Sequence, residues 1–408
     1  MKCRHCLCAL NLSLVDLGSA PPSNAYLTEK ALKAPEKWFP LRVLVCERCW
    51  LVQTEDFAQA HELFDAEYAY FSGFSSTWLA HCEQFVSAMA ARFGLTPESH
   101  VVEIAANDGY LLQYVKALGI GCTGVEPTAA AAAAARAKGI DIVEDFFGVS
   151  LATRLATANQ RADLTVANNV LAHVPDINDF VAGFKLLLKP SGVATFEFPH
   201  LLNLIAENQF DTIYHEHFSY LSLTAVNTIF SAQGLKIFDV EELPTHGGSL
   251  RVFAQRTDTG RLPVEAAVKN LLQREMRAGI TTAPYYSGFG CRVERIKNDF
   301  LRFLLDARAA GKFVAAYGAA AKGNTLMNYA GIRQDLIAFV VDRNPAKQGK
   351  YMPGSRIPIV EEERLREDKP DYVVILPWNL KAEVTQQLEY VRNWGGKFVM
   401  AVPHLEVA

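Results

Sequence analysis

Short apolar segments alternate with helical stretches in the middle of the chain. The apolar segments have the length of β-strands and lie at residues 101–105, 122–125, 164–167 and 193–198. Strands that alternate with helices are typical of a doubly wound parallel sheet, in which helices cover both faces. Two more strand-like segments within residues 235–256 predict a hairpin at the edge of this sheet.

The same alternation returns near the end of the chain. Strand-like segments lie at residues 313–317, 336–341, 372–376 and 397–402, and residues 265–310 before them are helical and polar on one side. This pattern predicts a second, smaller Rossmann-like lobe, joined to the first by a helical linker.

The first sixty residues differ from the rest because they are rich in proline and cysteine. Such a segment cannot fill a core by itself, and a bound metal would supply the missing stability. A helix follows it, since Trp78, Phe85, Met89 and Phe93 are spaced to share one face. We therefore predict an α/β protein with three units, at residues 1–65, 66–260 and 261–408.

The overall composition excludes several classes of protein. Half of the 408 residues are hydrophobic, 21% are charged and the formal net charge is −4, as expected for a soluble globular protein. No basic stripe with interleaved aromatic residues is present, which argues against a nucleic-acid partner. No apolar run reaches the ~18 residues of a membrane helix, and the first residues do not resemble a signal peptide. We expect a cytoplasmic protein.

Five of the eight cysteines lie within the first fifty residues, and four of these form two closely spaced pairs, Cys3 with Cys6 and Cys46 with Cys49. The two-residue spacing lets both thiolates of a pair reach one tetrahedral ion. Four thiolates leave no coordination position for water, so we predict a structural zinc ion rather than a catalytic one. We interpret the nearby His5 and Cys8 as neighbours of the site and not as ligands.

The first predicted strand of the middle unit leads into a loop of small residues. Glu103 stands in the strand, and the loop Asn107-Asp108-Gly109 would let a ligand approach the backbone closely. Glu126 ends the next strand, where a carboxylate can accept both hydroxyl groups of a ribose. Asp145 and Phe146 follow the third strand and suit the edge and face of an adenine. The loop lacks the three-glycine fingerprint of dinucleotide-binding proteins, which favours S-adenosylmethionine over NAD.

A cluster of titratable side chains, Tyr214-His215-Glu216-His217, follows the last parallel strand. It offers a general base with neighbours that can shift its pKa, and we predict a catalytic role for it. If the segment is extended, His215 and His217 share a face, and a metal site or structural hydrogen bonds are the alternatives. His173 follows the fourth strand and therefore lies at the edge of the sheet where ligands bind.

The second lobe has a strand-to-helix turn, Tyr317-Gly-Ala-Ala-Ala-Lys-Gly-Asn324, that is not a Walker loop. A helix start with small residues and Lys322 is a candidate cradle for a diphosphate, although an ordinary tight turn is the alternative. His246-Gly-Gly-Ser-Leu-Arg251 adds a hydrogen-bonding loop and a second cation that could meet phosphate.

In their order and combination, these motifs resemble the S-adenosylmethionine-dependent sugar 3-C-methyltransferase family, which makes branched deoxysugars. The motifs that carry the resemblance are the two cysteine pairs, Glu-Ile-x-x-Asn-Asp-Gly, Tyr-His-Glu-His, His-Gly-Gly-Ser-Leu-Arg and Tyr-Gly-Ala-x-x-Lys-Gly-Asn-Thr. It spans nearly the whole chain. It implies a zinc-binding N-terminal domain, a class I methyltransferase domain and a C-terminal Rossmann-like domain, with a nucleotide-linked keto-sugar held between the two large domains.

The resemblance also assigns roles to individual residues. The implied zinc ligands are Cys3, Cys6, Cys46 and Cys49. The resemblance implies that the loop Asn107-Asp108-Gly109 and Glu126 hold the cofactor and that a segment with Tyr68, Tyr70 and Ser72 closes over it. Further predicted cofactor-binding residues are Glu103, Asp145, Phe146 and Asn168. The resemblance also implies that Tyr214, Glu216 and His217 face the sugar and that His173 is an active-site histidine, and we predict that these four are catalytic. The predicted substrate-binding residues are His200, His215, His246, Arg251, Tyr317, Lys322 and Asn324.

The implied reaction begins at the carbon next to a ketone. A base, expected to be His217, removes the proton from carbon 3 of a 4-keto-6-deoxysugar, and His173 or Tyr214 stabilises the enolate oxygen. O- or N-methylation of a nucleotide sugar is an alternative, and a non-catalytic zinc-ribbon adaptor is another. The sequence leaves open the nucleotide carrier, although the family favours thymidine, and it allows a monomer or a homodimer.

Overall fold

The computed structural model describes residues 1–57, 73 and 76–408, so Tyr68, Tyr70 and Ser72 lie outside the described residues. Within them, no helix is long and apolar enough to cross a membrane. The strands form three sheets, one in each part of the chain.

The N-terminal sheet is a small antiparallel ribbon whose fourth strand comes from the middle of the chain. Its order is β1-β2-β3-β9, and the strands are β1 (Leu12–Ala20), β2 (Phe39–Val45), β3 (Val52–Thr54) and β9 (Ser219–Tyr220). Two cysteine turns flank the ribbon. After each turn one residue has a positive φ, Leu7 at 61° and Trp50 at 60°, and its amide donates to the carbonyl of the first cysteine, Cys3 or Cys46.

The middle sheet is the predicted doubly wound sheet. Its order is β10-β11-β8-β7-β4-β5-β6. The parallel strands are β4 (His100–Ile104), β5 (Gly121–Val125), β6 (Asp141–Val143), β7 (Ala162–Asn168) and β8 (Leu188–Pro199), and the antiparallel edge hairpin is β10 (Leu235–Leu243) with β11 (Ser249–Arg256). The hairpin and all four predicted parallel strands are confirmed.

The described residues of this part of the chain include seven helices, and the buried faces of these helices are apolar. The alanine-rich run forms a plain helix, as its composition predicts. The helices are α1 (Ser76–Phe93), α2 (Leu112–Ala117), α3 (Ala129–Ala137), α4 (Val149–Thr157), α5 (Ile177–Leu187), α6 (Leu201–Ala206) and α7 (Leu223–Ala232). Because β4 to β7 are parallel, their carboxyl ends meet at one edge of the sheet.

The C-terminal sheet is the predicted second lobe. Its order is β14-β13-β12-β15-β16-β17, parallel except for the last pair. The strands are β12 (Val314–Tyr317), β13 (Val340–Val341), β14 (Ile359–Val360), β15 (Tyr372–Ile375), β16 (Lys397–Met400) and β17 (Glu406–Val407). The strand predicted at residues 336–341 is reduced to β13.

The helices of the last part of the chain include the predicted linker. The linker is helical, with α8 (Ala266–Ala278), α9 (Ala283–Tyr286) and α10 (Phe289–Ala309). Helices α11 (Ala321–Tyr329), α12 (Glu363–Asp368) and α13 (Lys381–Gln387) surround the C-terminal sheet. The apolar face of α10, including Phe289, Val293 and Phe300, packs in the same core as residues of β1 and β2 and so joins the lobe to the ribbon.

Candidate active site

The four paired cysteines form one cluster at the end of the ribbon. Their sulfur atoms all lie within 4.8 Å of one another, with Cys3 Sγ 3.5 Å from Cys49 Sγ and Cys6 Sγ 3.4 Å from Cys46 Sγ. Four sulfurs around one zinc ion at the usual bond length stand about 3.8 Å apart, so these residues fit a tetrahedral zinc site. Cys8 is outside the cluster and accepts a hydrogen bond from Arg48. His5 contacts Asn178 instead.

A pocket opens at the carboxyl edge of the middle sheet, where the sequence predicts the cofactor. Six predicted site residues line it, and they come from the ends of four strands: Asn107, Glu126, Asp145, Phe146, Asn168 and His173. The pocket is also lined by four residues that the sequence did not indicate as site residues: Trp78, Tyr110, Thr128 and Asn169. The position of Asn169 directly after Asn168, at the end of a strand, was a usable signal.

Glu126 organises the loop that borders this pocket. Its carboxylate accepts hydrogen bonds from the backbone amide of Asn107 (3.0 Å) and from the amide (2.9 Å) and hydroxyl of Thr128. Ala105 and Asn107 have positive φ values of 59° and 48°, so the loop turns sharply at the end of β4. One carboxylate therefore ties the ends of two neighbouring strands together beside the pocket.

The remaining polar residues of the pocket differ in how they are paired. The side-chain oxygen and nitrogen of Asn168 are buried and have no hydrogen-bond partner among the described residues, as expected of a group that awaits a ligand. Asp145 is paired with Arg154 and Phe146 is exposed. Together with Glu126, the unpaired amide of Asn168 fits a nucleoside-containing cofactor.

The structure does not bring Glu103, Asp108 or Gly109 to the pocket surface. Glu103 is buried under the loop, and burial raises the pKa of its carboxyl well above the usual value. Asp108 forms an ion pair with Lys138. Gly109 has a φ of +74°, and a Cβ there would collide with the side chain of Ile140, so this glycine permits the turn between β4 and α2.

The segment Tyr214-His215-Glu216-His217 forms a turn and is not extended. The amide of His217 donates to the carbonyl of Tyr214 (3.0 Å), which reverses the chain, so His215 and His217 do not share a face. His215 points to the ribbon, where its Nε2 lies 3.2 Å from the carbonyl oxygen of Pro40. The two histidines therefore do not form a metal site together.

His217 packs between Tyr214 and His173. Its ring centroid lies 3.9 Å from that of Tyr214 and 4.6 Å from that of His173. Nδ1 of His217 donates to the carbonyl oxygen of Thr212 (2.7 Å), and Nδ1 of His173 donates to that of Glu216 (2.7 Å). Because a carbonyl can only accept, both neutral imidazoles carry their proton on Nδ1 and have a lone pair on Nε2.

Burial keeps both histidines neutral. It lowers the pKa of His173 to about 4, and burial together with the nearby His173 lowers the pKa of His217 well below its usual value. Burial also raises the pKa of the Glu216 carboxyl, whose Oε1 accepts from the amide and the side chain of Asn24 (both 3.2 Å). Both rings are therefore unprotonated at neutral pH, as a proton acceptor must be, and the same burial makes each ring a weaker base than a free imidazole.

The C-terminal lobe reaches this cluster through the start of α11. Asn324 donates to the carbonyl of Ser23, and Thr325 donates to the carbonyl of Ile213 (2.7 Å), one residue before Tyr214. Lys322 is half-buried, burial lowers its pKa, and its Nζ lies 2.9 Å from Asn379 Oδ1. The other predicted residue of this turn, Tyr317, accepts a hydrogen bond from Gln387 (2.8 Å).

Asp211 and Trp378 connect the two large domains beside Lys322. Trp378 Nε1 donates to Asp211 Oδ2 (2.7 Å), and Lys322 Nζ lies 4.5 Å from the centre of the Trp378 ring. Burial raises the pKa of Asp211 to about 6, against the opposing charge of Lys322. Neither Asp211 nor Trp378 was predicted from the sequence to be a site residue. The position of Trp378 just after β15, at the carboxyl edge of the second sheet, was the available signal.

Two predicted substrate-binding residues belong to buried ion pairs away from the pocket. Arg251 is paired with Glu197 (3.1 Å) and with Glu241 (3.0 Å). His200 Nε2 lies 2.7 Å from a carboxylate oxygen of Glu275. Both pairs join elements of the middle domain to one another or to the linker.

His246 lies near the pocket. It has a positive φ of 54°, and its ring lies 5.6 Å from that of Trp78, a pocket residue. Its Nε2 is 3.3 Å from the side-chain nitrogen of Asn169. His246 therefore lies beside the cofactor pocket.

Comparison with domain families divides the chain into three matched regions. Residues 3–64 match a model described as a zinc binding domain, residues 78–240 match a methyltransferase domain, and residues 244–403 match a C-methyltransferase C-terminal domain. The first region contains the cysteine cluster and the second contains the pocket, which supports structural zinc and S-adenosylmethionine as the cofactors.

Individual relatives agree with the domain families. The C-methyltransferase NovU of Streptomyces niveus is 35% identical over 407 residues, which cover 100% of this chain and 96% of NovU. Solved structures give only weak matches. The PH0226 protein of Pyrococcus horikoshii has a TM-score of 0.38 and 14% identity over 49% of this chain and 100% of its own. The 1,6-didemethyltoxoflavin-N1-methyltransferase of Burkholderia thailandensis has a TM-score of 0.37 and 17% identity over 51% of this chain and 96% of its own. Matches this weak carry no information about function.

The identity to NovU extends over nearly the full length of both proteins, and the three domain families follow one another in the same chain. This chain therefore belongs to the family of S-adenosylmethionine-dependent C-methyltransferases with a zinc-binding N-terminal domain.

Proposed function

We propose that this methyltransferase adds a methyl group to a carbon next to the ketone of a nucleotide-linked 4-keto-6-deoxysugar, with His217 as the general base. The observation that carries the proposal is the neutral His217 ring, anchored through Nδ1 and packed against His173, which itself lines the cofactor pocket. A carbon acid next to a ketone needs such a base, and a hydroxyl or amine substrate does not need it to the same degree.

The residues of this chain then have separate roles. Nε2 of His217 accepts the proton from the substrate carbon, and the ketone oxygen takes up the negative charge as an enolate. Tyr214 is the proposed donor to that oxygen, because hydrogen bonds aimed at developing charge lower the barrier, whereas the only ring proton of neutral His173 is donated to the carbonyl of Glu216. S-adenosylmethionine, when bound, supplies an electrophilic methyl group that needs no further activation.

The substrate cleft in this proposal lies between the methyltransferase domain and the C-terminal domain. Lys322 and His246 stand on its two sides, and Lys322 offers a cation for the diphosphate. We propose the division into residues 1–65, 66–260 and 261–408, with deoxysugar biosynthesis in the cytoplasm as the process served. The remaining predicted cofactor contacts, Tyr68, Tyr70 and Ser72, belong to the same proposal.

Incubation in heavy water tests the reaction. The purified protein, S-adenosylhomocysteine and a thymidine-diphosphate 4-keto-6-deoxyglucose should exchange a carbon-bound proton for deuterium, and replacement by S-adenosylmethionine should give a C-methylated product. A 4-ketone acidifies carbon 3 and carbon 5 alike, and we propose carbon 3. Proton NMR of the exchanged sugar distinguishes the two positions. A methylated product that forms without carbon exchange indicates O-methylation, and cofactor binding without any product indicates a binding protein.

A further inference from the structure

The backbone of Phe218, directly after His217, is a junction between the zinc ribbon and the cofactor pocket. Its amide donates to the carbonyl of Ala172 (2.8 Å), next to His173. Its carbonyl oxygen accepts from Arg4 Nε (3.2 Å) and from the amide of Thr54 (3.2 Å). The backbone beside the proposed base is therefore held from both sides.

Arg4 makes the strongest set of contacts to this junction. Its Nη2 donates to the carbonyl of Thr54 (2.9 Å) and pairs with Asp56 (2.5 Å), and its guanidinium lies 4.9 Å from the centre of the Phe218 ring. The side chain is only 3% exposed. A planar guanidinium fixed by several charge-assisted hydrogen bonds is a stiff contact, and a lysine cannot reproduce its fork.

The ribbon also holds the two neighbours of Phe218 in the chain. Thr54 Oγ1 donates to the carbonyl of His217 (3.1 Å), and β9 pairs with β3 from Ser219 onward. Arg4 directly follows the zinc ligand Cys3, and its own amide donates to Gln53 in β3 (2.9 Å). The cysteine turn that binds zinc is thus linked through one side chain to the backbone of the proposed active site.

We propose that Arg4 is a positioning residue, which uses the zinc-bound turn to hold His217 against His173 in the orientation needed for proton removal. This inference rests on the function proposed above. The physical reason is that a displacement of about 1 Å of a reacting group can cost 100-fold in rate, so a base on a turn needs rigid support from behind.

The test compares Arg4→Gln and Arg4→Lys with Arg42→Gln, a matched control in the same ribbon whose side chain is exposed and pairs with Glu55. For each variant we would measure zinc content, the dissociation constant for S-adenosylmethionine, and the kcat and KM of carbon-proton exchange. For Arg4→Gln we expect kcat of exchange to fall by about tenfold or more, with zinc content, cofactor affinity and sugar KM within about twofold of wild type. Arg4→Lys should lose less, and Arg42→Gln should match wild type.

Wild-type kcat of exchange in Arg4→Gln would overturn the inference, and so would a loss confined to KM. If Arg4→Gln fails to retain zinc, Thr54→Val is the deciding variant, because it removes the hydroxyl that contacts the carbonyls of His217 (3.1 Å) and Phe218 (3.5 Å) and keeps the side-chain shape. A reduced kcat in zinc-loaded Thr54→Val supports the inference, and an unchanged kcat contradicts it. Failure of the wild-type protein to exchange any substrate proton would instead contradict the proposed function.

Discussion

The rings of His173 and His217 lie edge to face, with centroids 4.6 Å apart, and each donates its Nδ1 proton to a backbone carbonyl. The carbonyls belong to Glu216 and Thr212, on the two sides of the Tyr214 turn. One turn therefore fixes the tautomer of both rings, and it leaves Nε2 of each as the basic nitrogen.

Replacement of His217 by glutamine should abolish carbon-proton exchange. Removal of a general base typically costs about 10²–10⁴-fold, and we expect a loss in this range. Cofactor affinity, measured by calorimetry, should stay within twofold, because the pocket is lined by other residues. The matched control is His404→Gln, which changes an exposed histidine far along the chain. Exchange at the wild-type rate in His217→Gln would exclude His217 as the base.

The buried histidines should make the protein less stable in acid. The pKa of His173 is lowered to about 4 in the folded protein, and in the unfolded chain a histidine titrates near 6.5. Between these values the unfolded state binds more protons, so stability should fall as the pH falls from about 6.5 to 4 and should not change through this group above that range.

The measurement is the melting temperature as a function of pH. Because other buried groups titrate in the same range, the informative quantity is the difference between wild type and His173→Asn. That difference should shrink on acidification, since the variant has no histidine there to protonate on unfolding. His404→Gln should run parallel to wild type, and a constant offset between wild type and His173→Asn would contradict the prediction.

The features that the sequence predicted correctly depend on short-range spacing. The cysteine pairs need only a two-residue gap, and Glu126 and Asn168 stand where strands of an alternating pattern end. Parallel strands bring such ends to one edge whatever the details of packing. The pocket residues at strand ends could therefore be predicted from strand positions alone, whereas Trp78, which lies on a helix, could not.

The features that the sequence could not predict depend on partners distant in the chain. Arg251 pairs with Glu197, 54 positions away, and His200 contacts Glu275, 75 positions away, so neither side chain is available to a phosphate. The turn at Tyr214 is stabilised by contacts with the ribbon and with the C-terminal lobe. The alternation of side chains along an extended segment does not include such contacts. Contacts between residues distant in the chain therefore determine the roles of Arg251 and His200 and the conformation at Tyr214.

Glu126→Gln should weaken cofactor binding. Asn107 donates to one carboxylate oxygen and Thr128 to the other, and an amide replaces one of these oxygens by a donor NH2 group, so the loop beside the pocket loses an anchor. We expect the dissociation constant for S-adenosylmethionine to rise about tenfold, the equivalent of one lost charge-assisted hydrogen bond. Glu144→Gln, which alters a surface pair with Arg136, is the control and should bind normally.

Arg251→Met should reduce stability and leave the sugar KM unchanged in the folded enzyme. Glu197 is fully buried, and loss of Arg251 leaves its charge with His81 and Thr245 as the remaining partners. Removal of one member of a buried pair costs about 3–5 kcal/mol, and the contact with His81 should keep the loss near the lower end. Chemical denaturation measures it. A raised sugar KM at normal stability would instead indicate that Arg251 binds the substrate.

Removal of zinc should destabilise the ribbon and, through it, the active site. Cys46→Ser replaces one thiolate by a poor ligand in a cluster whose four sulfurs lie within 4.8 Å, so we expect loss of the bound zinc and a lower melting temperature. Because β9 is part of the ribbon sheet, hydrogen exchange of the amides of Phe218 to Tyr220 should accelerate, whereas amides in β4 and β5 should stay protected. Cys291→Ser changes an exposed lone cysteine and should affect none of these quantities. Unchanged protection at Phe218 in zinc-free protein would mean that the ribbon does not transmit its stability to the catalytic turn.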